Sequence, residues 1–335
     1  MKDFLVNSLL EMNSFNELVE AIKSKTTPIF NYGLNTQALG HIIYGLDKTL
    51  KKPMLIITKD EKEANYIYKD LKGLIIDKEN IEYYPKKDVM YYNVDAVSID
   101  TKVQRLKVLS RLVNDENIIV VSSYEALIDK IITKEDFKDN IINIDTDNEI
   151  NLEVLLKKLS ISGYERVEQL EGIGQFSIRG GIVDVYSPNS ENPVRIELFG
   201  DEVDTIREFD LITQRSIKNI NSIQITPVKE VFISDDIKDI IIENIKEEIT
   251  DYNNTRVKEK FNEYIELLNE NSHIKNEDMV IPFIPNEKID SIIDYFKKDS
   301  LIFINDPKRI KENIEKDEEN EILKFKDLLE AGEIT

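Results

Sequence analysis

Short runs of apolar residues alternate with amphipathic stretches along the first 145 residues. The apolar runs at 53–58, 81–84 and 117–122 have the length and composition of buried strands. Other stretches space their apolar residues three and four apart, and this predicts helices over 1–25, 36–48, 60–72 and 99–114. The alternation of strands and helices predicts an α/β fold whose sheet is mostly parallel and doubly wound.

The pattern changes to a period of two between Gly163 and Asp210. Six of the eleven glycines of the chain lie within this segment, and glycine clusters where a backbone turns or is closely approached. Alternating apolar and polar residues at 176–179, 182–186 and 194–199 predict short antiparallel strands. We therefore predict a small antiparallel domain at 146–228, inserted after a first α/β part at 1–145.

The remainder, residues 229–335, is predicted to complete the α/β domain. A strand is expected at 227–233 and another at 300–304. Charged amphipathic stretches predict helices, which are expected over 235–250, 256–271, 287–297 and 308–333.

Composition narrows the function classes. The net charge is −21, which argues against a general DNA-binding protein, since such proteins rely on lysine and arginine contacts to phosphate. The chain has no cysteine and only His41 and His273 as histidines, so neither a metal site nor a cofactor is expected. No apolar run approaches the roughly 20 residues that span a membrane, and a cytoplasmic location is expected.

The glycine-rich segment also carries a family resemblance. The matching pieces, in order, are Gly163-Tyr164, Arg166-Val167, Gly174-Gln175-Phe176, Arg179 to Val185, Arg195 to Phe199, Asp201 to Asp204 and Phe209-Asp210. This series resembles the small second domain shared by nucleotide-excision-repair proteins of the UvrB type and transcription-repair coupling factors of the Mfd type. The resemblance implies a helicase-like parallel-sheet domain carrying an inserted antiparallel α+β domain.

The first strand–turn–helix of a helicase-like domain should hold a glycine-rich phosphate loop with a lysine. The segment in that place, 31–40, offers Gly33 but no lysine before Lys48, so we expect a degenerate nucleotide site without tight ATP binding. Asn35 or Thr36 is expected to cap the following helix instead. Asp306 is a single acid followed by Pro307 and is likewise expected to cap a helix. UvrB keeps its phosphate loop, so the loss favours similarity to the N-terminal region of coupling factors.

The resemblance implies that UvrA docks on the sheet of the second domain. Carried over by position, the contact residues are Arg166, Arg179, Arg195 and Glu197, with Phe176 and Tyr186 as apolar contacts. Alternation along the strands should point Arg179 and Arg195 away from the apolar face. An alternative is that Arg179 pairs with Asp184 or Glu197 inside the domain and only satisfies one face of the sheet.

Three functions follow from these observations. The chain is expected to be a non-catalytic adaptor that recruits UvrA to stalled transcription sites. A regulatory alternative, compatible with the first, is a chain that mainly clamps the rest of a larger protein shut. The resemblance implies that a C-terminal domain of a longer protein masks this surface, while other regions of that ATP-dependent translocase bind RNA polymerase and DNA. The enzymatic alternative is an ATP-dependent, UvrB-like component of a DNA repair helicase.

Overall fold

The computed structural model describes residues 3–74, 80–87, 99–146, 149–251, 255–270 and 280–330. The helices are α1 (Asp3–Leu10), α2 (Asn13–Lys23), α3 (Thr36–Leu50), α4 (Glu61–Leu74), α5 (Ile99–Val113), α6 (Tyr124–Ile128), α7 (Lys134–Asp139), α8 (Leu152–Ile161), α9 (Asp235–Asp251), α10 (Thr255–Asn269) and α11 (Pro307–Glu330). The strands are β1 (Met54–Thr58), β2 (Ile81–Tyr84), β3 (Ile119–Ser123), β4 (Ile131–Ile132), β5 (Ile142–Asp145), β6 (Glu165–Arg166), β7 (Gln175–Arg179), β8 (Ile182–Val185), β9 (Val194–Phe199), β10 (Glu202–Phe209), β11 (Ser216–Ile220), β12 (Ser222–Ile225), β13 (Ile289–Asp290) and β14 (Leu301–Ile304).

The first compact unit comprises residues 1–86, 114–127 and 296–315. It holds a parallel sheet in the order β14-β1-β3-β2, with Met54 opposite both Ile119 and Leu301. Every residue of β1 and β3 is buried, as is typical of the central strands of a parallel sheet. Helices α3 and α4 contribute Ile43 and Ile67 to the core of this unit. The predicted parallel α/β part is therefore confirmed.

The second compact unit comprises residues 87–113, 128–295 and 316–335. Its main sheet has the order β11-β10-β9-β8-β7-β6 and is antiparallel except between β6 and β7. One face of this sheet packs with Leu155 and Leu159 of α8 around Phe176, Val183 and Ile196. A further apolar cluster in this unit joins α9 and α10. The predicted antiparallel part is confirmed, whereas the domain boundaries at 145/146 and 228/229 remain predictions.

Three predicted elements differ from the structure. The helix expected over 1–25 is divided into α1 and α2, and the Asn16 side-chain amide donates to the Leu10 carbonyl at the break. Residues 227–233, all described, form no strand. The helix expected over 287–297 is replaced by two short 3-10 turns and β13, because Ile289 and Asp290 pair with β4. The expected ends at 271 and 333 lie outside the described residues.

Candidate functional site

The six-stranded sheet has a second face, opposite the core, that is lined mainly by polar side chains. Period-two alternation assigns every second residue of β7, β8, β9 and β10 to it. We call this surface the polar face; its residues are Ser177, Arg179, Ile182, Asp184, Arg195, Glu197, Phe199, Thr205, Arg207 and Phe209.

Asp184 is the centre of the polar face. It lies opposite Ser177 on β7 and opposite Arg195 on β9, and only 1% of its surface is exposed. Its carboxylate accepts hydrogen bonds from Arg179 Nη2 at 2.7 Å and from Arg195 Nε and Nη2 at 2.6 and 2.8 Å. Both arginines therefore lie on the side of the sheet away from the core, as predicted. The pairing of Arg179 with Asp184 that the sequence left open is also present.

The two arginines differ in accessibility. The Arg195 side chain is only 17% exposed; its guanidinium stacks 4.6 Å above the Phe209 ring and donates to Gln214 Oε1 at 3.2 Å. Its hydrogen bonds to Asp184 raise the pKa of Arg195, which keeps the guanidinium charged. The Arg179 side chain is 53% exposed, so much of its guanidinium faces solvent. Arg195 is held in place, and Arg179 is the arginine of this pair that a partner can reach.

Glu197 belongs to a second polar group on the same face. It accepts hydrogen bonds from Arg207 Nη2 and from Thr205 Oγ1, the latter at 3.0 Å. Thr205 is its direct cross-strand neighbour on β10, and Ile182 is its neighbour on β8. Glu197 is thus positioned by strand pairing and remains partly exposed.

The other three predicted contacts lie outside the two polar groups around Asp184 and Glu197. Phe176 lies on the core face and is 2% exposed, so packing alone accounts for its side chain. Tyr186 is half-buried, which raises its pKa, and its hydroxyl donates to the Glu191 carbonyl at 3.0 Å. Arg166 is exposed on β6, the strand beyond β7. A role in partner binding for these three residues stays a prediction.

Phe199 is an exposed residue that the sequence prediction missed. It ends β9 with 80% of its surface exposed. The signal was present in the sequence, because the alternation of β9 assigns Phe199 to the same face as Arg195 and Glu197. An aromatic ring there has no core to join, and exposed aromatic residues are enriched where proteins bind one another.

The degenerate nucleotide segment is built as a helix start. Asn35 caps α3 by accepting a hydrogen bond from Ala38 N at 2.8 Å, as predicted, and Thr36 is the first residue of α3. Gly33 has a φ of +81°. Residues 27–30 form no strand, so the strand that should precede a phosphate loop is missing from this described segment.

Asp306 has the capping role expected of it. Its Oδ1 accepts a hydrogen bond from Arg309 N at 3.4 Å, and its Oδ2 lies 3.3 Å from Arg309 Nε. Pro307 follows as the first residue of α11. Nucleotide binding itself stays a question for experiment.

The described residues contain neither a cluster suited to a metal ion nor a helix suited to a membrane. Among residues 3–74, 80–87, 99–146, 149–251, 255–270 and 280–330, no group of three or more histidine, cysteine, aspartate or glutamate side chains is placed to hold a metal ion. In the same part of the chain, no helix combines the length and apolarity that crossing a membrane demands.

Comparison with known proteins identifies the relatives of this chain. Residues 142–231 match the UvrB interaction domain family. The transcription-repair-coupling factor of Bacillus subtilis is 31% identical over 342 residues, covering 99% of this chain and 29% of the relative. The corresponding factor of Staphylococcus epidermidis is 32% identical, covering 94% and 27%, and that of Staphylococcus haemolyticus is 33% identical, covering 90% and 26%. The chain thus spans less than a third of the length of these relatives. The chain carries a UvrB interaction domain at 142–231. Over nearly its whole length it is homologous to one part of the transcription-repair-coupling factors, as the resemblance indicated.

Proposed function

We propose that this chain is the UvrA-docking part of a transcription-repair coupling factor and that it acts in DNA repair by binding, without a catalytic step of its own. The repair role is supported by the relatives' names and by the UvrB interaction domain. The assignment of UvrA as the partner is supported by the same domain and by the surface described above.

The observation that carries the proposal is the exposure of Arg179 and Phe199 on one sheet face. An arginine and an aromatic ring are the residue types that dominate binding energy in protein interfaces. Arg179 is anchored by Asp184, which is itself buried and held by Arg195, so the guanidinium is partly ordered before a partner arrives. Prior ordering of a contact residue lowers the entropic cost of association.

Electrostatics favour the same face. The chain carries 65 acidic and 44 basic residues, whereas the polar face carries three arginines, Arg179, Arg195 and Arg207, against the two carboxylates of Asp184 and Glu197. A local cationic group of this kind steers an acidic patch on a partner and sets its orientation. The accessible guanidinium of Arg179 suits a carboxylate, because arginine pairs with carboxylates through two parallel hydrogen bonds.

The wider roles concern a longer protein. Masking of the polar face by a C-terminal domain, and binding of RNA polymerase and DNA by other regions, are proposals that the chain's similarity to part of the coupling factors supports. A masked docking surface would let UvrA bind only after the longer protein has changed conformation.

The proposal can be tested by hydrogen exchange with and without purified UvrA. We expect UvrA to slow exchange at the strand ends that border the polar face, residues 179–182 and 198–205, because docking excludes water there. Residues 119–123 of the parallel sheet serve as the internal reference and should not change. Absence of binding, or protection confined to residues outside 142–231, would contradict the proposal.

A further inference from the structure

One end of the polar face is hollowed into a depression of about 400 Å³. It lies where the end of β7, the start of β8, the end of β9 and a bulge in β10 meet. Its lining residues are Arg179, Gly181, Ile182, Glu197, Leu198, Phe199 and Asp204. Gly181 is required for this shape, since a Cβ atom there would lie 2.6 Å from the Leu198 carbonyl oxygen.

Three charged side chains line the depression: Arg179, Glu197 and Asp204. Arg179 is paired with Asp184 and Glu197 with Arg207, so Asp204 contributes the net negative charge of the depression. Asp204 is the extra residue of the β10 bulge, between Val203 and Thr205, and it is exposed. Glu197 is bound to Arg207 and Thr205, but a carboxylate has about four acceptor positions and retains capacity for another donor.

The remaining walls are apolar. Phe199 presents an exposed ring and Ile182 is half-buried, whereas the side chain of Leu198 packs against the core cluster of the sheet. A ring face attracts a cation, and the methylene stem of a lysine or arginine packs on apolar side chains while its charged head stays polar. An aromatic ring, two carboxylates and aliphatic walls around one hollow are complementary to a long basic side chain.

We infer that this depression receives an arginine or lysine side chain of the docked partner. The inference rests on the proposed function and adds a second contact of opposite sign to it. The partner would offer a carboxylate to Arg179 and a basic side chain to the hollow beside it. Two adjacent contacts of opposite charge fix the direction in which the partner lies on the sheet, which a single ion pair does not.

The test is the affinity of purified UvrA for the full chain and four variants, measured by calorimetric titration. Asp204→Lys should weaken binding at least about tenfold, because it places a cation where the partner's cation must go. Asp239→Lys is the matched control, with the same change of charge at an exposed residue of α9 outside residues 142–231, and it should change affinity less than about twofold. Phe199→Ala should weaken binding about tenfold. Ile212→Ala removes another exposed apolar side chain, in the turn between β10 and β11, and should have little effect.

Each outcome decides a separate point. If Asp204→Lys binds like Asp239→Lys, the hollow does not take a cation and the inference is wrong, although loss of binding by Arg179→Ala would still support the docking face. Tighter binding by Asp204→Lys would mean that an acidic side chain enters the hollow, and this also overturns the inference. If the parent chain does not bind UvrA, the proposed function and the inference fail together.

Discussion

Arg195 of β9 and Asp184 of β8 form a two-bond ion pair directly across neighbouring strands, with N–O distances of 2.6 and 2.8 Å. The carboxylate is buried, and Arg195 covers it while stacking on Phe209. The two charges of this pair compensate each other within the sheet, so Arg195 and Asp184 have a structural role. Arg179 is attached to the same carboxylate but remains half-exposed.

The exposure difference predicts different costs of truncation. Arg195→Ala leaves a buried carboxylate with one partly exposed partner and should lower the free energy of unfolding by about 3 kcal/mol. Arg179→Ala removes an exposed partner and should cost less than about 1 kcal/mol. Urea unfolding followed by circular dichroism measures both. Equal stabilities for the two variants would mean that Asp184 does not depend on Arg195.

Two buried serines of the second compact unit allow a matched comparison between a hydrogen-bonded hydroxyl and one without a partner. Ser187 Oγ donates to Asn189 Oδ1 at 2.6 Å and accepts from Thr226 N at 3.1 Å. Ser187→Ala should therefore cost about 1–3 kcal/mol, because it strands a buried backbone donor. Ser177 Oγ is equally buried but has no hydrogen-bond partner among the described residues. Ser177→Ala should leave the free energy of unfolding unchanged or raise it by up to about 1 kcal/mol. A decrease of more than about 1 kcal/mol in the same assay would show that the hydroxyl is hydrogen-bonded.

A buried charge network in the same unit predicts acid sensitivity. Arg105 Nε lies 2.5 Å from Glu230 Oε1, Lys87 Nζ lies 3.1 Å from Glu230 Oε2, and Arg105 Nη1 lies 2.8 Å from Asp129 Oδ2. Burial alone would raise the pKa of Glu230, but the attraction of Arg105 and Lys87 outweighs it and lowers the pKa from 4.5 to about 2. Burial raises the pKa of Asp129, against the opposing pull of Arg105.

The sign of the pH effect follows from these directions. A lowered carboxyl pKa contributes stability that is complete above the ordinary value of 4.5 and is lost as the pH falls toward about 2. The contribution of Glu230 should fall by about 2 kcal/mol between pH 7 and pH 3. Asp129 acts in the opposite sense, because its stabilising contribution is lost as the pH rises through its raised pKa.

Urea unfolding of the parent and Glu230→Gln at pH 7 and pH 3 separates this group from the other carboxylates. We expect the variant to be less stable at pH 7, since Arg105 loses its main counter-charge, and the difference to shrink at pH 3. Glu248→Gln, at an exposed position on α9, is the control, and its free energy of unfolding should equal that of the parent at both pH values. A difference that stays constant with pH would contradict the account of Glu230.

Local patterns predicted most of the architecture. The period of two in β7 and β9 was sufficient to place Arg179 and Arg195 on one side of the sheet, since strand geometry fixes that side. The capping roles of Asn35 and Asp306 were also predictable, because they depend on backbone donors within the next few residues. Apolar runs predicted β1 and β3, because strands that are covered on both faces of a parallel sheet are mainly apolar.

Features that depend on distant residues were not predictable in this way. The burial of Asp184 arises from two arginines 5 and 11 residues away in sequence, on adjacent strands. Residues 289–290 left the expected helix because β4, more than 150 residues earlier, offers a pairing partner.

The docking claim is tested most directly by titrating UvrA with the parent, Arg179→Ala and Arg309→Ala. Arg309 is the matched control, since its side chain is 61% exposed, pairs with one aspartate and lies outside residues 142–231. Loss of an interface arginine that carries about 2 kcal/mol of binding energy weakens affinity roughly thirtyfold. We predict a loss of this size for Arg179→Ala, with unchanged folding, and a change of less than about twofold for Arg309→Ala. Equal affinities for the two variants would contradict the assignment of the polar face as the UvrA-docking surface.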